Sequence, residues 1–245
     1  MEPKYSEKEY QKHIKAEHEL SVSEYLKEIV YGGSDGIVTT FAVAAGFAGA
    51  QSGALSQYPV LVVLVLGLAN LLADAFSMGA SNFLSILADK DVYKKEKDKE
   101  IYEIRNNPKM ERAETIFILK KKGFSKEEAE KITELYARNE DYWAEFMMRY
   151  ELEMPTPEHE NPVLTGLATM GSFVLFGFIP LIPYVLLDNQ DKFLTSILFT
   201  FIALLLLGVL RWKVTTQTLL RSVGEIIILG GVAASIAYFV GTLFR

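Results

Sequence analysis

Two long stretches of the 245-residue chain are almost free of charge, and they flank a densely charged segment. Residues 37–88 contain one acid, Asp74, and no base, whereas residues 163–245 contain three acids and five bases. The intervening residues 89–162 hold 19 acids and 15 bases. A helix needs about 20 mainly apolar residues to cross a bilayer. The pattern therefore predicts an all-α membrane protein with a polar insertion.

The apolar stretches divide into five predicted membrane helices, at about 29–50, 59–88, 163–187, 193–210 and 222–244. Pro180 and Pro183 are expected to kink the third helix. The predicted domains are an N-terminal amphipathic segment at 1–28, membrane helices 1 and 2 at 29–88, a helical metal-binding insertion at 89–162, and membrane helices 3 to 5 at 163–245.

Lysine and arginine in the short loops predict the orientation of the chain. The loop at 51–58 has neither residue, whereas the loop between the last two helices has Arg211, Lys213 and Arg221. The N-terminus and the insertion are therefore expected in the cytosol and the C-terminus outside. The first residues are charged and form no apolar run, so a cleavable signal peptide is not expected. A prokaryotic plasma membrane is the favoured location, or a vacuolar membrane in a eukaryote.

Several functional classes conflict with the composition. The chain has no cysteine, which excludes thiolate zinc sites, iron–sulfur clusters and cysteine catalysis. A net charge of −6 without a basic face argues against nucleic-acid binding. No Glu-x-x-His or Gly-x-Ser-x-Gly motif occurs, and no histidine lies in a predicted span. We therefore expect neither an enzyme nor a permanent cofactor.

The insertion is predicted to be helical throughout. The second membrane helix is expected to continue as far as Arg105, and Asn107 and Pro108 to open the next helix, which Gly123 closes after Lys121. Ser125 opens a third helix with a capping box, and a fourth is expected at 141–154. The expected core residues are Ile116, Phe117, Leu119, Ile132, Leu135, Tyr136, Trp143 and Phe146.

Asn70, Asp74 and Met78 follow one another at intervals of four residues, so they form one stripe on the second predicted membrane helix. Ionisable residues are costly within a bilayer and favour a functional explanation. An amide oxygen, a carboxylate and a thioether suit a borderline metal such as Fe²⁺ better than Mg²⁺ or Ca²⁺. The structural alternative is a polar cluster that holds helices together, with Met78 as ordinary packing.

Glu28 and Asp35 are two helical turns apart on the first predicted membrane helix and share a face. Gly32, Gly33 and Gly36 lie around them and allow another backbone to approach closely. Glu28 is equally well explained as an interfacial residue at the membrane edge. Asp35 lies deeper, which favours a role in an ion pathway.

The insertion contains three sets of potential metal ligands. They are Glu100 with Glu103, Glu111 with Glu114, and Met147, Met148 with Glu151. The Asn-Asn-Pro turn at 106–108 would fold two helices side by side, so that four carboxylates converge. Taken alone, the solvated faces of a charged helical domain explain these residues better, because 15 bases are interspersed.

Two segments resemble the vacuolar iron transporter family. They are GSDGIVTTFAVAAG at 33–46, which is similar to its first span, and GLANLLADAFSMGASNFLS at 67–85, which is similar to its second. The five-span plan and the paired glutamates followed by Met-Met-x-x-Glu also fit, so the resemblance covers nearly the whole chain.

The resemblance implies a homodimer that exports Fe²⁺, and often Mn²⁺, from the cytosol in exchange for protons. It assigns the ion path to Glu28, Asp35 and Met78. It assigns metal capture in the insertion to the carboxylates and thioethers named above, which favours a metal site there. Co²⁺ and Zn²⁺ are further candidate cargoes.

Asn70 departs from the family pattern, because some members carry a glutamate at this position. Asp74, one turn later, would supply the missing charge. The hypothesis is that the insertion captures the ion, a site between the first two helices binds it, and protonation releases it outside. The alternatives are an uncoupled metal channel and a membrane-anchored metal-buffering protein.

Overall fold

The computed structural model describes Ser6, Lys12 and residues 8–10, 25–50, 59–157, 161–187 and 191–243. All regular structure in these ranges is helical, so the predicted all-α class is confirmed. The predicted amphipathic segment at 1–28 lies outside the described residues for most of its length, and the loop at 51–58 lies outside them entirely. The chain forms two compact units, one of residues 1–82 with 163–245 and the other of residues 83–162.

From residue 25 onward, the described ranges contain nine α-helices and one 3₁₀ helix with defined bounds. They are α1 (Leu26–Gly49), α2 (Pro59–Asn106), α3 (Pro108–Lys121), α4 (Lys126–Tyr136), α5 (Glu140–Tyr150), α6 (Pro162–Gly177), the 3₁₀ helix (Ile179–Leu181), α7 (Ile182–Leu186), α8 (Lys192–Val214) and α9 (Leu219–Thr242). Helix α2 runs for 48 residues without a break, as its predicted extension beyond the apolar stretch requires.

Among the described residues, four helical segments are long and apolar enough to cross a membrane. They are Val60–Asn106, Pro162–Leu186, Lys192–Val214 and Leu219–Thr242. Helix α1 is not among them, since its apolar stretch includes Asp35 together with glycine, serine and threonine residues. The segment Pro162–Leu186 is interrupted by the 3₁₀ turn that contains Pro180, where the sequence predicts a kink.

Glycines allow α1 to contact two other helices backbone to backbone. A Cβ atom on Gly32 would lie 2.5 Å from the Thr169 carbonyl oxygen of α6, and one on Gly36 would meet the Phe173 carbonyl oxygen. At the other end of α1, a Cβ atom on Gly49 would lie 2.5 Å from the Tyr238 carbonyl oxygen of α9. Because only glycine leaves room for these approaches, they fix the rotation of α1.

The unit formed by residues 83–162 has its own small core. The buried residues of this core are Ile104, Leu119, Ala129, Trp143, Ala144, Phe146 and Met147. The prediction was wrong for Phe117 and Leu135, which are each 58% exposed. Phe117 lies on α3, where the consecutive apolar residues 116–119 occupy more than one face, so the sequence does not indicate which face is buried. Leu135 lies at the edge of the single apolar face of α4.

Local signals set most helix ends in this unit. Asn107 occupies the N-cap of α3 with Pro108 in its first turn, and Ser125 makes the predicted capping box with Glu128. Gly123, after α3, has a φ of 102°. The end predicted for the fourth helix was wrong, because α5 stops at Tyr150 and Glu153 adopts a positive φ of 54°. The helix ends at its C-cap Glu151, and the left-handed residue Glu153 follows two positions later, before Pro155.

Candidate metal sites

Three carboxylates converge in the unit of residues 83–162. One oxygen each from Glu100, Glu111 and Glu151 lies within 4.8 Å of the others. Glu100 belongs to α2, Glu111 to the first turn of α3, and Glu151 follows the last turn of α5. The break between α2 and α3 at Asn107 lies between Glu100 and Glu111. Carboxylate oxygens at this separation can share one divalent cation.

Burial leaves part of this cluster without partners. Glu100 and Glu111 are 4% and 3% exposed. The Oε1 atom of Glu100 and the Oε2 atom of Glu111 are buried and accept no hydrogen bond from any residue that the structure describes. Buried polar atoms are nearly always paired, so these two oxygens are suited to a bound ion.

The cluster shifts the protonation of its own carboxyls. Burial, a hydrogen bond with Glu111 and the neighbouring negative charges raise the pKa of Glu100 to about 8. Burial also raises the pKa of Glu111, against the effect of the hydrogen bond from Glu100. Burial and nearby carboxylates, Glu114 first, raise the pKa of Glu151 to about 7. At neutral pH the cluster therefore holds protons that a cation would displace.

The other four predicted ligands of the insertion have different surroundings. Glu103 and Glu114 are half-buried, and Lys99 Nζ lies 3.8 Å from Glu103 Oε1. Both glutamates add negative charge to the field around Glu111. Met147 and Met148 are completely buried. The grouping of three carboxylates thus includes neither of these glutamates, although they contribute to its potential.

Met147 lies beside a hydrogen-bonded pair formed by Thr115 and Trp143. Thr115 was not among the predicted site residues. The Thr115 hydroxyl donates to the Glu111 carbonyl oxygen over 2.7 Å and lies 3.3 Å from the Met147 sulfur. The Trp143 Nε1–H donates to Thr115 Oγ1 over 2.8 Å. Thr115 lies four residues after Glu111 on the same face of α3, and this spacing is the sequence feature that could have indicated its place beside the cluster. The contact orients the Met147 thioether within the core.

The stripe on α2 forms a second candidate site, in the unit that contains the other long apolar helices. The Asn70 side-chain amide donates to Asp74 Oδ2 over 2.7 Å. Asp35 of α1 is near enough to Asp74 for their charges to interact, and all three side chains are half-buried. Two of the five predicted path residues, Asn70 and Asp74, are thus in direct contact, and Asp35 lies within electrostatic range of Asp74.

Met78 and Glu28 are placed differently. Met78 is half-buried and packs against the core that contains Leu71, Ala75 and Phe173. Glu28 is 8% exposed, and its Oε2 atom has no hydrogen-bond partner among the described residues. Its backbone carbonyl accepts a hydrogen bond of 3.2 Å from Ser172. A buried, unpaired carboxylate oxygen at this position is available to a cation.

Comparison with known families identifies the family of this chain. The sequence profile of the VIT family matches residues 26–242, which is nearly the whole described chain. The chain belongs to the VIT family. This match confirms the resemblance drawn from the span motifs.

Named members of the VIT family align with the chain over most of their own length. Vacuolar iron transporter 1 of Oryza sativa is 32% identical over 92% of this chain and 88% of its own length. Vacuolar iron transporter 1 of Arabidopsis thaliana is 32% identical over 91% of this chain and 87% of its own length. The vacuolar iron transporter of Toxoplasma gondii is 34% identical over 94% of this chain and 78% of its own length.

Proposed function

We propose that this VIT-family protein transports Fe²⁺ across a membrane, exporting it from the cytosol in exchange for protons, with Mn²⁺ as a second cargo. The names of its relatives support iron as the cargo. The observation that carries the proposal is the convergence of Glu100, Glu111 and Glu151 in a chain that also has long membrane helices. A soluble metal-buffering protein would have no need of those helices.

In this proposal α1 is a fifth membrane helix, and residues 89–162 form a cytosolic metal-binding domain. The backbone contacts of Gly32 and Gly36 with α6, and of Gly49 with α9, support the assignment. A helix that packs so closely along two candidate spans shares their hydrophobic environment. With five spans, the N-terminus is cytosolic and the C-terminus lies outside.

The ion path of the proposal comprises Glu28, Asp35, Asn70, Asp74 and Met78. Asp35 and Asp74 contribute the negative charge that replaces part of the hydration shell of the ion. Protons and the metal compete for the same carboxylate oxygens, so protonation on the outer side weakens binding and releases the ion. This competition is the physical basis of antiport.

The cytosolic cluster raises the local metal concentration in this proposal. Its ligands are Glu100, Glu103, Glu111, Glu114, Met147, Met148 and Glu151. Carboxylates bind the dication through charge, and the two thioethers favour Fe²⁺ over the hard cations Mg²⁺ and Ca²⁺. The protein acts as a homodimer, in a prokaryotic plasma membrane or in the vacuolar membrane of a eukaryote.

The proposal is tested with full-length protein in liposomes, by measuring Fe²⁺ flux with and without an opposing proton gradient. We expect the gradient to accelerate flux and Asp35→Asn to reduce it by about tenfold or more, because a charged ligand is lost. Asp191→Asn is the matched control, since Asp191 is exposed at the start of α8. It should transport at the wild-type rate.

Two outcomes contradict the proposal. An Fe²⁺ flux that does not change with the proton gradient or on addition of a proton ionophore indicates an uncoupled channel. Metal binding by the protein without any flux indicates a membrane-anchored buffer.

A further inference from the structure

Lys99 places a positive charge beside the cluster of Glu100, Glu111 and Glu151. It belongs to α2 and directly precedes Glu100 in the sequence. Its Nζ atom lies 3.8 Å from Glu103 Oε1, one turn later, and 4.0 Å from Glu96 Oε2, one turn earlier. The ammonium group therefore lies between two carboxyl groups, and only the later one belongs to the proposed metal ligands.

Among the described residues, Lys99 is the one base whose charge acts on the cluster. The other charges that shift the pKa values of Glu100, Glu111 and Glu151 belong to glutamates. Burial is the main cause of the raised pKa of Glu151, and the charge of Lys99 acts against it by lowering this pKa. Since residues 89–162 hold 15 bases, its position beside the cluster distinguishes Lys99 from the others.

The Lys99 side chain can leave Glu103 and still keep a carboxyl partner. It is 61% exposed, and neither of its ion pairs is shorter than 3.8 Å. Exposed ion pairs of this kind contribute little to stability. A metal ion bound to Glu103 would displace the ammonium group toward Glu96, which is half-buried and is not a proposed ligand. The displacement therefore has a small cost.

Repulsion adds a second cost to metal binding near Lys99. Coulomb energy scales with the product of the two charges, so a dication meets twice the repulsion that a monovalent cation meets at the same distance. Removal of the ammonium group thus favours bound metal in two ways, through the release of Glu103 and through the loss of repulsion. A lysine that only supported the fold would have the opposite effect, because its loss would loosen the ligands.

We propose that Lys99 weakens metal binding at the cluster and thereby sets the affinity of this site. The inference rests on the proposed function, in which the cluster captures Fe²⁺ or Mn²⁺ from the cytosol. Conduction of an ion requires sites that bind it weakly enough for it to leave. The ammonium group limits the affinity of the capture site, so that the ion is passed on rather than stored.

The experiment is a titration of the full-length protein in detergent with Mn²⁺, followed by electron paramagnetic resonance, in which bound Mn²⁺ loses the signal of the free ion. Lys99→Gln should lower the Kd by about threefold or more at low ionic strength. The difference should shrink as added salt screens the charge. Lys99→Arg keeps the charge and should bind Mn²⁺ as wild type does.

The matched control is Lys94→Gln, which removes the same charge from an exposed position five residues earlier on another face of α2. It should leave the Kd at the wild-type value. A second control places Lys99→Gln in the Glu100→Gln/Glu111→Gln background, where the cluster has lost two ligands. There it should not change the remaining Mn²⁺ binding, which assigns the effect to the cluster rather than to a site on the membrane helices.

The failure of the inference and that of the proposed function are distinguishable. If Glu100→Gln/Glu111→Gln binds Mn²⁺ as wild type does, the cluster captures no metal, and the proposed capture function fails together with the role of Lys99. If that double variant loses binding while Lys99→Gln has an unchanged or higher Kd, the role of Lys99 alone is overturned. An equal decrease of the Kd in Lys94→Gln or in Lys99→Arg would overturn it as well.

Discussion

The two candidate metal sites hold their carboxyl groups through different hydrogen bonds. In the α2 stripe, Asp74 accepts a hydrogen bond from an amide one turn earlier. In the carboxylate cluster, Glu100 is paired with another carboxyl and keeps a proton near neutral pH. The first arrangement orients an anion, and the second stores protons that a cation must displace.

Replacing Asn70 tests the first arrangement. Asn70→Leu removes the donor to Asp74, so the carboxylate loses its fixed orientation, and we expect the KM for Fe²⁺ to rise by about tenfold. Asn82→Leu is the control on the same helix, because the Asn82 amide donates to Thr169 Oγ1 over 2.8 Å. Initial rates of Fe²⁺ flux in liposomes give KM and kcat for both variants. Equal increases in KM would assign Asn70 a purely structural role.

The raised pKa of Glu100 makes the stability of the metal-free protein depend on pH. The folded-state pKa of about 8 lies above the ordinary 4.5, so the stabilising contribution is complete below about pH 4.5 and is lost as pH rises through about 8. The thermal midpoint, followed by fluorescence of the buried Trp143 in a Trp212→Phe background, should therefore fall over that range. The slope should be smaller in Glu100→Gln and unchanged in Glu127→Gln. A wild-type midpoint that rises with pH would contradict the assignment.

Helix boundaries and side-chain convergence differ in how far the sequence predicts them. The capping box at Ser125 and the proline at 108 act within a few residues, so α3 and α4 begin where predicted. The side-by-side arrangement of Glu100 and Glu111 follows from the same proline turn. Burial of one helix face rather than another depends on distant partners, which explains why Phe117 is exposed. The link from Thr115 to Met147 depends on tertiary packing in the same way.

At the scale of the whole molecule, the charge pattern and the helices agree on a membrane protein, and α1 decides its topology. In the part of the chain that the structure describes, four segments have the length and hydropathy of membrane spans. Helix α1 has lower hydropathy, yet it makes backbone contacts with α6 and α9 through glycines. Hydropathy treats each helix as isolated in lipid, whereas a polar residue on a packed helix can face other helices. Packing therefore favours five spans where hydropathy gives four.

Cysteine mapping distinguishes these topologies, and the absence of native cysteine makes each introduced thiol unique. We expect Ser6→Cys and Lys120→Cys to react with an impermeant maleimide from the same side of oriented vesicles, because two spans separate them if α1 crosses the bilayer. Leu243→Cys should react from the opposite side, since three spans separate it from Lys120 in either topology. Labelling after detergent is added confirms that each thiol is reactive. Reaction of Ser6→Cys from the side opposite to Lys120→Cys would show that α1 does not cross, and the proposed path through Asp35 would then lose its membrane setting.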